Sequence, residues 1–158
     1  MRLILFLFFA TFQEQCRGLK FNDELLAKPV REKCENRPRE FTINDTNYFY
    51  SGSFAETEDK EISWLEARNL CREFCMDSIS INTKEEFELV KKTLEEFEVD
   101  YIWTSGRICD VKGCEHDEFK PVNINGWIWS NGDEKMPPTN NIPVGWSENI
   151  WSQTGFKN

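Results

Sequence analysis

Apolar residues return at helical intervals in two neighbouring stretches of this chain. Trp64, Ala67, Cys71 and Phe74 fall at i, i+3, i+7 and i+10, and Phe87, Val90, Leu94 and Phe97 repeat that spacing. Each series makes one stripe along a helix, and such a stripe must dock on something apolar. Both are preceded by a start signal. Ser63 stands three residues before Glu66, and Thr83 three before Glu86. That is the spacing of a capping box, in which hydroxyl and carboxylate each accept from an amide at the helix end.

Elsewhere the pattern shortens. Residues 47–55 pack Tyr48, Phe49 and Tyr50 together before a turn at Gly52, and read as a strand. Residues 78–82 alternate in strand fashion. Tyr101, Ile102 and Trp103 read as a buried strand, and residues 126–130 as another. From Asn131 onward glycine, proline and asparagine dominate, which predicts a long irregular surface loop. Residues 19–46 are charged, carry Pro29 and Pro38, and read as an N-terminal extension with at most one short helix. The order of strand, helix, strand, helix, then strands and loops predicts an α+β domain over residues 47–158.

The first residues change the setting. Arg2 is followed by an unbroken apolar run to Ala10 and then a short polar stretch, the layout of a secretory signal peptide. The run is too short to span a bilayer, and Cys16 and Gly18 suggest cleavage near Gly18. The alternative is a buried N-terminal helix. No other segment approaches transmembrane length, so secretion without membrane insertion is expected. The 158 residues carry a net charge of −9; without residues 1–18 there remain 17 basic and 27 acidic side chains. That balance repels nucleic acid and anionic membranes, and no basic stripe offsets it. Asn44-Asp45-Thr46 is a glycosylation sequon, in keeping with export.

Five cysteines would remain after processing: Cys34, Cys71, Cys75, Cys109 and Cys114. In an oxidising compartment they should pair, and an odd number leaves one over. Cys109 and Cys114 are close enough to join across their turn, closing a loop worth about 2 kcal/mol in the chain-entropy model. Cys34 with Cys75 would close a larger loop worth about 4 kcal/mol. Cys75 lies one helical turn from Cys71, so either could meet Cys34.

The run W-L-E-A-R-N-L-C (residues 64–71), the second helix, Y-I-W-T-S-G (101–106) and W-I-W-S-N-G (127–132) together resemble a C-type lectin domain. C-x3-C in the first helix and I-C-D-x-K-G-C resemble the insect secreted branch of that family. The resemblance covers residues 48–158. It implies a C-type lectin-like fold, with two helices packed on a mainly antiparallel sheet and a long irregular loop. It also implies a role in recognising carbohydrate or glycoprotein. In that family the cysteine at the position of Cys71 pairs with one near the domain's C-terminus, and a late acidic motif supplies calcium ligands. Neither lies within these residues. The expectation is therefore a partial domain with its C-terminal strands missing, Cys71 unpaired, and no cofactor held by this chain, although complete members use calcium.

Within that fold Trp64, Trp103, Trp127 and Trp129 are expected in the core. Trp127 and Trp129 share one strand face, and a sheet covered on both sides buries Ile128 as well. Each buried indole removes more than about 150 Å² from water, worth a few kcal/mol. Trp146 and Trp151, flanked by polar loop residues, are the candidates for stacking on a sugar ring.

Other chemistry is less well served. Cys109, Cys114 and His116 form C-x4-C-x-H, yet a fourth zinc ligand is missing. His116 is the only histidine and no nucleophile motif surrounds it. Glu85-Glu86 and Glu95-Glu96 lie on predicted helices and read as solvated faces rather than a glycosidase pair. Asp110, Glu115, Asp117 and Glu118 lack an EF-hand pattern. No catalysis is predicted. Two rival readings stand beside a carbohydrate-binding protein: a secreted protein-interaction module without sugar binding, and a nonfunctional truncated fragment.

Overall fold

A computed structural model describes residues 3–8, 26–54, 57, 60–132 and 134–151. The expected cleavage region around Gly18 lies outside them. The elements in chain order are β1 (Leu3–Phe8), α1 (Arg31–Glu35), β2 (Phe41–Ile43), β3 (Thr46–Tyr50), α2 (Trp64–Glu73), β4 (Asp77–Ser78), α3 (Lys84–Glu96), β5 (Tyr101–Trp103), β6 (Gly106–Ile108), α4 (Val122–Asn125), β7 (Trp127–Trp129) and β8 (Glu134–Lys135). They make a mixed α+β structure with four helices and two sheets, antiparallel except for one pair. Two compact units result, Met1–Ser105 and Gly106–Asn158.

In the first unit both predicted caps are formed. The Glu66 amide donates to the Ser63 hydroxyl at 3.4 Å while the Ser63 amide donates to the Glu66 carboxylate at 2.7 Å. These contacts hold the exposed Glu66 carboxyl below its ordinary value. Thr83 and Glu86 repeat the exchange on α3. Both helices also end alike. Met76 N–H donates to Cys71 C=O and Cys75 N–H to Arg72 C=O, while Val99 and Glu98 do the same to Leu94 and Glu95. These are Schellman closures, and the left-handed residue in each is Cys75 (φ 58°) or Glu98 (φ 51°) where glycine is usual.

β3 separates two apolar clusters because its side chains alternate faces. Tyr48 and Tyr50 pack with Ile79, Val90 and Val99, so α3 covers that side. Phe49 packs with Ala67, Cys71 and Met76, so α2 covers the other. The sheet therefore lies between the two helices. A bidentate ion pair from Arg68 on α2 to Asp77 on β4, at 2.9 and 3.0 Å, ties helix to sheet.

The α3 stripe is rotated from its expected setting. Its buried residues are Glu86, Val90 and Thr93, with Leu94 and Phe97 packed against the cluster, while Phe87 is half-exposed beneath Lys91. Glu86 is 5% exposed, which corrects its reading as a solvated acid. The cause is a saturated carboxylate. One oxygen accepts from the Asn82 and Thr83 amides at 2.8 Å each, and the other from the Tyr48 hydroxyl at 2.8 Å. Burial, and then this bond, push the Tyr48 phenol far above its ordinary value, so it stays a proton donor.

Three strands differ from expectation. Phe41–Ile43, inside the stretch read as an extension, pairs with β3 through a two-residue turn at Asn44 and Asp45, both left-handed. Of the alternating stretch 78–82 only Ser78 is paired as strand, together with Asp77 before it, although Ile79 and Ser80 remain buried. Tyr101, expected buried, is 63% exposed.

The residues read as an exported leader supply the middle of the sheet. One edge of β1 pairs antiparallel with β3, Phe6 opposite Tyr50; the other takes β5 in parallel at Leu3–Leu5 and β4 antiparallel at Leu7 and Phe8. A leader is removed and a central strand is kept, so the two roles make opposite demands on Leu3–Phe8. A chain beginning at Leu19 loses both sets of pairings. We expect it to melt at lower temperature than the full chain, with faster amide exchange along Thr46–Tyr50. Identical melts and exchange would show that β1 contributes nothing.

Glu86 offers a second check. Glu86→Ala removes the shared acceptor of one hydroxyl and two amides and should cost about 3 kcal/mol in denaturant unfolding. Its effect should be less than additive with Tyr48→Phe, because both remove the same bond.

Candidate functional site

The second unit is built on the two-tryptophan strand. β7 pairs with β6 and β8, Ile108 opposite Trp127 and Gly106 opposite Trp129 on one side, Ile128 opposite Lys135 on the other. Gly126 leads into the strand where any side chain would be refused: an added Cβ would lie 2.7 Å from Val122 O. Ile128 and Trp129 are each 2% exposed, whereas Trp127 is only half-buried. Of the other indoles expected in the core, Trp64 and Trp103 are also half-buried. Each still spends its N–H inside the first unit, Trp64 on Thr104 O at 2.9 Å and Trp103 on Ile62 O at 2.8 Å.

Past β8 the chain is irregular but anchored. The Thr139 amide donates to Ile124 O and its hydroxyl to Asn123 O, both at 3.1 Å, holding the loop to α4. Asn149 Nδ2 donates to Thr139 O at 3.2 Å. Trp151 donates its Nε1 to Pro137 O at 3.3 Å and lays its ring on Trp127, centroids 5.1 Å apart. The base of the loop is thus closed by bonds between its two ends.

Its far end is a β-turn. Trp146 N–H donates to Pro143 O at 3.0 Å, and Gly145, third in the turn, has φ 84°. That is the left-handed value a type II turn needs at this place, and glycine reaches it without strain. The turn puts Val144 fully in solvent and Ile142 54% exposed beside it, while Trp146 is half-buried. So the two stacking candidates part: Trp151 closes the loop's base and Trp146 stands near its tip. Ile142 and Val144 escaped the sequence reading. Their signal was Pro-Val-Gly, a turn that lifts an apolar residue outward.

The cysteines sort plainly. Cys34 is bonded to Cys75 and Cys109 to Cys114, with Cα separations of 5.1 and 5.5 Å. Cys71 is free and fully buried. Around the first bond lies a hollow of about 520 Å³ lined by Pro29, Arg31, Glu35, Arg37 and Arg39. Asn44, the glycosylation candidate, is exposed on its hairpin turn.

Three of the four acids weighed for calcium have other partners. Asp110 is paired with Arg107, and Asp117 with Lys120 at 3.1 Å. Glu115 accepts from the Gly113 amide at 2.7 Å, and backbone bonds from its own amide and that of Gly113 lower its carboxyl pKa. Among the described residues no three acids, cysteines or histidines converge as a metal set. Nor, among them, is any helix long and apolar enough to cross a membrane.

No family model, no curated protein and no solved structure matches the chain.

Trp151→Ala tests how the loop is held. It removes the ring on Trp127 and the bond to Pro137, and we expect a loss of about 3 kcal/mol from the second unit. Tryptophan fluorescence during denaturant unfolding reads it.

Proposed function

We propose that this chain is a secreted C-type lectin-like recognition protein that binds carbohydrate at the turn-tipped loop of its second unit. The observation that carries the reading is the loop that bears Trp146. Its two ends are bonded together and a glycine-bearing turn leads into this partly buried indole, so a sugar ring could pack there without first ordering the backbone. Motif order along residues 64–132 supports the lectin-like assignment, as does the sandwich of two capped helices around a mainly antiparallel sheet. Export is supported by two disulfides, which persist in oxidising compartments.

In this reading, binding rests on stacking and hydrogen bonds rather than on calcium. The reading is of a binding protein rather than an enzyme.

A second reading has its own observation. Ile142 and Val144 stand exposed on the same turn, and grouped apolar side chains at a loop tip also suit a protein partner. The two readings separate on one surface. On a glycan array, carbohydrate recognition predicts binding that is unchanged by a chelator and weakened about tenfold in Trp146→Ala, a loss of about 1.4 kcal/mol. Val144→Glu should leave it intact. Binding abolished by the chelator, or indifferent to Trp146→Ala, would end the carbohydrate reading. A partner captured by the parent chain and lost with Val144→Glu would put the protein-interaction reading in its place.

A further inference from the structure

The hollow beside the Cys34–Cys75 bond holds an unusual charge for this chain. Three of its lining residues are arginines, Arg31, Arg37 and Arg39, and one is an acid, Glu35. The protein as a whole carries −9, so a cationic recess runs against its composition. Glu35 takes the Arg31 Nε–H at 2.8 Å, which offsets one of the three charges. The next carboxylate along the chain, Glu40, is spent elsewhere: it accepts from the Tyr50 amide at 2.8 Å and from the Ser53 hydroxyl at 2.5 Å.

The frame under these arginines is fixed. The disulfide locks α1 to the end of α2, Val30 N–H donates to Glu73 O at 2.9 Å, and Lys33 pairs with Glu73 at 2.5 Å. Arg37 is held from behind by its own bond to Cys34 O at 3.2 Å. Burial, then the nearby Arg39 charge, set the Arg37 guanidinium below its ordinary value; an anion between the two would relieve that crowding.

We propose that this hollow is a binding site for a tetrahedral oxyanion, a sulfate or phosphate group. Guanidinium forks suit oxyanions, and a tetrahedral oxyanion has oxygens enough to accept from more than one arginine at once. A volume of about 520 Å³ exceeds one such ion and admits the sugar ring of a monoester beside it. The site lies wholly in the first unit and does not depend on the Trp146 loop.

The test follows the arginine Nε–H resonances of the full chain by NMR at low ionic strength. The ligands are a monosulfated disaccharide, its unsulfated parent, inorganic sulfate and inorganic phosphate. Saturable shifts with the sulfated sugar and none with its parent are expected. Arg37→Ala and Arg39→Ala should each weaken binding about tenfold, while Lys92→Ala on exposed α3 leaves it unchanged. Arg39 is exposed, so its variant keeps the test meaningful even where Arg37→Ala disturbs the frame. Inorganic sulfate or phosphate binding as tightly as the sulfated sugar would uphold the site and assign it to the free ion. Equal shifts with the unsulfated parent, no saturation with any ligand, or equal loss in Lys92→Ala would overturn the proposal.

Discussion

β3 cannot be an edge strand. Tyr48, Phe49 and Tyr50 are 1–3% exposed, so water does not reach their backbone, and buried amides and carbonyls must be paired. β2 serves one edge. Some other strand must serve the second, and Leu3–Phe8 does so. The same burial sets the layers, because alternate side chains send two tyrosines toward α3 and a phenylalanine toward α2. Once β3 is placed, both helices have an apolar surface to lie on, and α2 in turn positions Asp77, Cys75 and everything bonded to Cys34.

Local interactions were legible in the residues. Both capping boxes use groups three positions apart, so they can be read without knowing what the helix meets later. The aromatic cluster at residues 48–50 and the strand at residues 127–129 were readable for the same reason, since period and side-chain type act locally. Long-range compensation was not readable. Glu86 looks like a surface acid until Tyr48 and two backbone amides converge on it from elsewhere. The rotation of the α3 stripe follows from that convergence, because a carboxylate with three donors can stay inside while Phe87 turns out beneath Lys91. The run at Leu3–Phe8 is ambiguous in principle. An unbroken apolar stretch of that length suits an export leader and a fully buried strand equally, since neither needs alternation.

Trp146 and Trp151 show the same limit at the candidate site. Both lie in the same irregular loop, and composition treats them alike. What separates them is where the chain returns: Trp151 meets Pro137 and Trp127 at the loop's base, whereas Trp146 closes a turn away from it. The Trp151 ring packs at the loop's base, and the Trp146 amide closes the turn. The loop therefore has the rigidity that a small contact surface needs, because ordering it during binding would cost more than a few side chains return.

The choice of cysteine follows from helix ending rather than from sequence distance. Cys71 and Cys75 are one turn apart, and on a continuing helix they would face the same way. The helix does not continue. Cys75 occupies the left-handed position of the Schellman closure, and its side chain leaves the α2 stripe for the surface, where Cys34 reaches it. Cys71 stays on the stripe. Its thiol is fully buried, donates to Ala67 O at 3.1 Å, and is driven well above its ordinary pKa, chiefly by burial. A thiol kept protonated is a poor nucleophile for exchange. The same closure that exposes one cysteine thus keeps the other from competing for Cys34, and the arginine hollow is built around the bond that results.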